Sequence, residues 1–139
     1  MEDYKRYLSI IKAELKNGNE TNSVQLLRLC KRLHLPITGI YASDEKHKNF
    51  SNGSCFIINT DIKGNTGIHW VAGVNYYGTT YLYDSFGRNN LNFPSLRNRK
   101  IIHTQPDKEQ LETQTDCGQR CISALLVFYH HGLPEYLSL

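Results

Sequence analysis

Three short runs of this sequence hold side chains that could do chemistry together: Gly67-Ile68-His69-Trp70, Tyr83-Asp84-Ser85-Phe86-Gly87 and Asp116-Cys117-Gly118. A thiol, an imidazole and a carboxylate are the parts of a nucleophilic site. The thiolate attacks, the imidazole moves the proton and the carboxylate orients the imidazole. Taken singly, each has a structural explanation: a histidine at a strand start, an aspartate in a turn, a cysteine as a small buried hydrophobe. The conjunction, in this order, is what points to catalysis.

The elements needed to bring them together can be read around them. The run Ile68–Tyr77, a Gly78-Thr79 turn and Thr80–Asp84 form the pattern of a β-hairpin. It places His69 near the start of one strand and Asp84 near the end of its antiparallel partner, so the two are expected to sit level. The carboxylate is then expected to accept the imidazole Nδ1–H, leaving Nε2 to face a nucleophile. Cys117 opens a helix that runs CGQRCISALLVFYHH to His131 and is stopped by Gly132 and Pro134. Helix-end amides and an imidazolium both lower a thiol pKa, so a resting thiolate is expected. Gly118 is expected to keep the surface open to a substrate backbone. The Cys117 amide and an upstream glutamine side chain would form the oxyanion hole.

Two helices precede this unit. Tyr4, Tyr7, Leu8, Ile11 and Leu15 share one helical face, with Asn17-Gly18-Asn19 as the stop. A second helix is expected from an Asn22/Ser23 cap through Val24, Leu27, Leu29, Cys30 and Leu33, ending before Pro36. Residues 42–54 are polar and glycine-bearing, a loop, while Cys55–Thr60 and Lys100–His103 have the form of strands. Helix, sheet, helix in 139 residues predicts one α+β domain, a small mixed β-sheet flanked by helices.

Composition narrows the function classes. A net charge of +3 is too small to mark a nucleic-acid binder by itself. Its local concentration, Arg88, Arg97, Arg99 and Lys100, reads as a solvated loop, with weak DNA binding as the lesser reading. The charged start has no apolar leader core and no stretch approaches a membrane span, which predicts a soluble intracellular protein that does not engage membranes. The four cysteines, Cys30, Cys55, Cys117 and Cys121, are then expected as free thiols, Cys121 as part of the core. They show no paired C-x-x-C spacing, and with six histidines in no ligand pattern, no metal is expected and no cofactor is required.

The block Cys55–Gly87, with C-x-I-x-N-T, T-G-I-H-W and Y-L-Y-D-S-F-G, resembles the adenovirus-type maturation proteases, the adenain family related to the Ulp/SENP-like cysteine peptidases. The tail Gln110…Asp116-Cys117-Gly118-x-x-Cys121 is similar to the family's Q…C-G-x-x-C helix, and Thr38-Gly39-Ile40-Tyr41 followed by Phe50 to a looser pattern. The likeness covers residues 36–131, leaving 1–35 as a helical N-terminal region. It implies a papain-related fold with rearranged chain order, His69 as base, Asp84 as acid (glutamate in the adenovirus enzymes), Cys117 as nucleophile and Trp70 beside the substrate groove. It favours Gln110 over the nearer Gln114 as the oxyanion donor.

The resemblance also implies cleavage of viral capsid and core precursor polypeptides after small residues in Gly-containing motifs, inside the virion and the infected host cell. A viral peptide and DNA would be activators. Lys100 stands where the adenovirus enzyme has the cysteine that bonds its activating peptide, so a covalent link of that kind is not expected. Two other readings share these residues. One is a protease that removes ubiquitin or a ubiquitin-like modifier. The other is a non-catalytic module on a protease fold that binds protein or DNA.

Overall fold

A computed structural model describes residues 2–15, 22–60, 69–85, 93–104 and 116–139. Helix α1 (Glu2–Glu14) buries Tyr4, Leu8 and Ile11, the predicted stripe. Helix α2 (Ser23–Arg32) starts at the predicted Asn22 cap. There the Asn22 side chain accepts from Gln25 N–H at 2.9 Å, and Gln25 Oε1 accepts from Asn22 N–H at 2.9 Å. The capping box is closed on both sides. Helix α2 turns Leu26, Leu29 and Cys30 inward, while Val24 and Leu27 face solvent.

Five strands follow: β1 (Ile40–Tyr41), β2 (Cys55–Asn59), β3 (Trp70–Tyr76), β4 (Thr79–Tyr83) and β5 (Lys100–His103). They lie side by side in chain order, antiparallel between β2, β3 and β4 and parallel at both edges. The fold is therefore α+β with a mixed sheet. Strand β2 is buried along its whole length, as an apolar run between turn residues should be. At its centre the Phe56 ring covers Gly73, where an added Cβ would lie 2.1 Å from Phe56 Cζ. No other residue leaves room for that ring.

The hairpin that carries the site is shifted by one residue from its expected turn. Tyr77 and Gly78 form the two-residue loop, with φ of 47° and 81°, and Thr79 already belongs to β4. Positive φ at both loop residues is the type I′ pattern, which matches strand twist. Tyrosine gives no hint of it in sequence. A glycine beside it does, and the wrong neighbour is chosen.

Helix α3 (Cys117–His131) matches its prediction at both ends. Gly132, at φ 93°, ends it and leads into an unpredicted short helix α4 (Leu133–Leu137), in which Pro134 sits in the first turn, where proline suits a helix. Tyr136 on α4 hydrogen-bonds the Ala72 and Tyr81 carbonyls, pinning α4 to β3 and β4. Helices α1, α2, α3 and α4 share one core with one face of the sheet, so residues 1–35, where they are described, pack into the same core as residues 36–131. The other face buries Tyr41, Phe56, Ile58, Val71, Leu82, Phe93 and Leu96.

Candidate active site

Sheet pairing fixes His69 before its side chain is considered. Thr60 N–H donates to the His69 carbonyl at 3.0 Å, extending the β2–β3 ladder one step beyond Trp70. Across the hairpin Ala72 pairs with Tyr83, so the next position along puts Asp84 beside Val71, two residues from His69. The pair is diagonal rather than level, still within reach for long side chains. His69 Nε2 and Asp84 Oδ1 lie 2.5 Å apart, with both residues buried.

This reverses the expected ring orientation. The offset of two residues lets the carboxylate meet the far edge of the imidazole, so Nε2 rather than Nδ1 faces Asp84. His103, on β5 opposite Leu82, also feels Asp84. Burial lowers the His103 pKa and the Asp84 charge works against that.

Cys117, at the head of α3, meets the strand at the residue after His69. The N–H of Trp70, the residue after His69, donates to Cys117 Sγ at 3.4 Å. One peptide thus joins His69 to the sulfur's hydrogen-bond donor. Burial pushes the Cys117 thiol above its ordinary pKa. The amides of Trp70, Gly118 and Cys117 pull it down without offsetting burial, and the Asp116 charge adds to the rise. The helix end alone therefore does not produce the expected thiolate. Gly118 is buried, so its part here is its amide rather than an open surface.

Burial raises the pKa of the other thiols as well. Cys30, Cys55, Cys117 and Cys121 are all free. Burial pushes Cys30 and Cys55 up to about 12, and Cys121, fully buried in the core, well above its ordinary value. No comparison with protein-family models or with curated proteins finds a match for this chain.

Several predicted residues lie outside the described ones: Gln110 and Gln114, Arg88, and the Gly67, Ile68, Phe86 and Gly87 that flank His69 and Asp84. Of the basic cluster, Arg97 and Lys100 are exposed. Arg99 is committed elsewhere: it donates to Thr80 Oγ1 at 3.0 Å and Asn75 Oδ1 at 3.3 Å and stacks its guanidinium over Phe50. Among the described residues no group of three His, Cys, Asp or Glu could hold a metal ion, and no helix is long and apolar enough to cross a membrane.

The site also has a second layer that sequence reasoning missed. Asp116, buried at the N-cap of α3, bonds Arg120 Nε at 3.0 Å through Oδ1 and Lys12 Nζ at 2.9 Å through Oδ2. Arg120 donates to Tyr4 Oη at 3.4 Å, and Tyr4 Oη lies 2.6 Å from Tyr83 Oη, one residue before Asp84. Only the Asp116–Arg120 part has a local signature, an i,i+4 ion pair.

Proposed function

We propose that this protein is a cysteine endopeptidase with the adenain/Ulp-like arrangement of a papain-related site, and that it matures viral capsid and core precursors. The observation that carries this reading is the buried His69–Asp84 pair, one peptide away from the amide that holds the Cys117 sulfur. The chain order base, acid, nucleophile and the helix-borne cysteine agree with the resemblance in the sequence.

The reaction is acyl transfer. Cys117 Sγ forms a bond to the scissile carbonyl carbon, whose oxygen takes the negative charge against the Cys117 amide and, by resemblance, Gln110. As the C–N bond breaks, the proton held on the His69 imidazole passes to the leaving amine. A water then gives one proton to His69 and its hydroxide to the thioester carbon, releasing the acid and the Cys117 thiolate beside the protonated imidazole. Asp84 holds the ring through Nε2 and stabilises it while it is charged. The substrate class, viral precursors cut after small residues, rests on the resemblance.

The test is iodoacetamide alkylation between about pH 4 and pH 9, read by peptide mass spectrometry, beside cleavage of Gly-containing capsid peptides. Cys117 should alkylate well below the pH at which Cys30 and Cys55 react, His69→Ala should remove that advantage, and Cys117→Ser should lower cleavage by about a thousandfold or more. Equal reactivity of Cys117 and Cys30, with or without DNA and virion peptides, would rule out the site. Preferred cleavage of ubiquitin or SUMO substrates would instead make it a deconjugating protease.

A further inference from the structure

The N-terminus of α3 has the residues of a capping box but does not use them. Asp116-x-x-Gln119 is the D-x-x-Q signature, in which the first side chain accepts from the amide three residues on and the second returns to the first amide. Asp116 makes no side-chain cap bond. Its ψ is 22°, where the capping residue Asn22 has 175° at nearly the same φ, so the Asp116 side chain is turned away from the helix end. Both of its oxygens go to Lys12 and Arg120. The other half of the box is also unmade: Gln119 is fully buried, and its Oε1 and Nε2 have no hydrogen-bond partner.

We propose that Lys12, on α1, is a positioning residue of this site. Together with Arg120 it draws the Asp116 carboxylate off the end of α3. The first amides of the helix then face the Cys117 sulfur and the substrate oxygen rather than a capping anion. The inference rests on the cysteine-peptidase reading and gives α1 a part in it. Two anions, the Asp116 carboxylate and the Cys117 thiolate, compete for the same positive helix end, and the cation on α1 decides which one has it. Groups gathered here from every packed element are His69 and Asp84 at the sheet end, His103 on β5, Tyr83 on β4, Asp116, Arg120 and Cys121 on α3, and Tyr4 and Lys12 on α1. Among them Lys12 alone brings positive charge to Asp116 from another element. Burial pushes the Asp116 carboxyl up, yet the hydrogen bonds and charges of Lys12 and Arg120 outweigh it and hold it below the usual range. It is an anion throughout the working pH.

The experiment is a double-mutant cycle on the pH profile of Cys117 alkylation in the full chain. Lys12→Met should move the midpoint of reactivity upward and slow alkylation near neutral pH by about three- to tenfold, since one pKa unit is a factor of ten. Asp116→Asn should move it downward. Lys12→Met in the Asp116→Asn background should add nothing, and Lys12→Arg should restore the native profile. Melting temperatures of all four variants show that each is folded at the assay temperature. A midpoint unmoved by Lys12→Met, or moved equally in both backgrounds, overturns the proposal and makes Lys12 a structural tie. A wild-type Cys117 without selective reactivity would instead overturn the peptidase reading beneath it.

Discussion

Helices α2 and α3 begin with the same grammar, Asn22-x-x-Gln25 and Asp116-x-x-Gln119, and do opposite things with it. At α2 the two side chains close on the backbone and satisfy its free amides. At α3 neither does: the aspartate bonds two cations and the glutamine amide is buried without a partner. An uncapped helix start and a buried orphan amide are both destabilising, of order 1 kcal/mol or more each. They persist where the helix end meets Cys117. The start of α2 serves stability alone, whereas the start of α3 gives up stability and, under the proposed function, gains a free positive end beside the Cys117 sulfur.

The largest effect that would sharpen the contrast is removal of Asp116. Asp116→Ala leaves Arg120 buried beside no carboxylate and should lower stability by about 3 kcal/mol, as breaking a buried pair does. Denaturant unfolding measures it. The pH dependence has a definite sign. Because the folded carboxyl lies below its unfolded value, the clamp stabilises fully above the ordinary carboxylate range and loses that contribution as pH falls through the folded pKa. In Asp116→Ala the acid limb of the stability curve should therefore be shallower than in wild type. An unchanged limb would mean that the clamp contributes nothing to folding.

Next in size is a change of opposite sign at equivalent positions. Gln119→Met keeps the shape of a side chain that makes no hydrogen bond and removes two buried polar atoms, so it should raise stability by about 1–2 kcal/mol. Gln25→Met opens a closed box and should cost about 0.5–1 kcal/mol. A loss at Gln119 as large as that at Gln25 would break the comparison.

How much of this could be read in the sequence follows the range of the interactions. His69, Asp84 and Cys117 were legible because residue type, strand pattern and turn signals place them within one hairpin and one helix start. The orientation of the ring was not, since it depends on a diagonal register that the period of two leaves undefined. The Tyr77-Gly78 turn was missed by one residue because a left-handed tyrosine carries no composition signal. Helix α4 was hidden because Pro134 reads as a stop as readily as a first-turn residue. The Lys12–Asp116 contact joins opposite ends of the chain, beyond any local pattern. The Asn22 cap of α2, wholly local, was placed from the sequence, though not the Gln25 that closes its box.

The smallest effect expected at Cys117 is also the cleanest control. Asn22→Ala removes a side chain that touches only its own helix start, and should lower stability by about 1 kcal/mol. It should leave the pH profile of Cys117 alkylation unchanged, because no charge is altered and the α2 cap makes none of the contacts that surround the sulfur. Measured together with Asp116→Asn, it separates two consequences of disturbing a helix start. If Asn22→Ala shifted the Cys117 midpoint as Asp116→Asn does, general loosening of the helical layer would explain both. Thiol reactivity would then report on stability rather than on the charge at the end of α3.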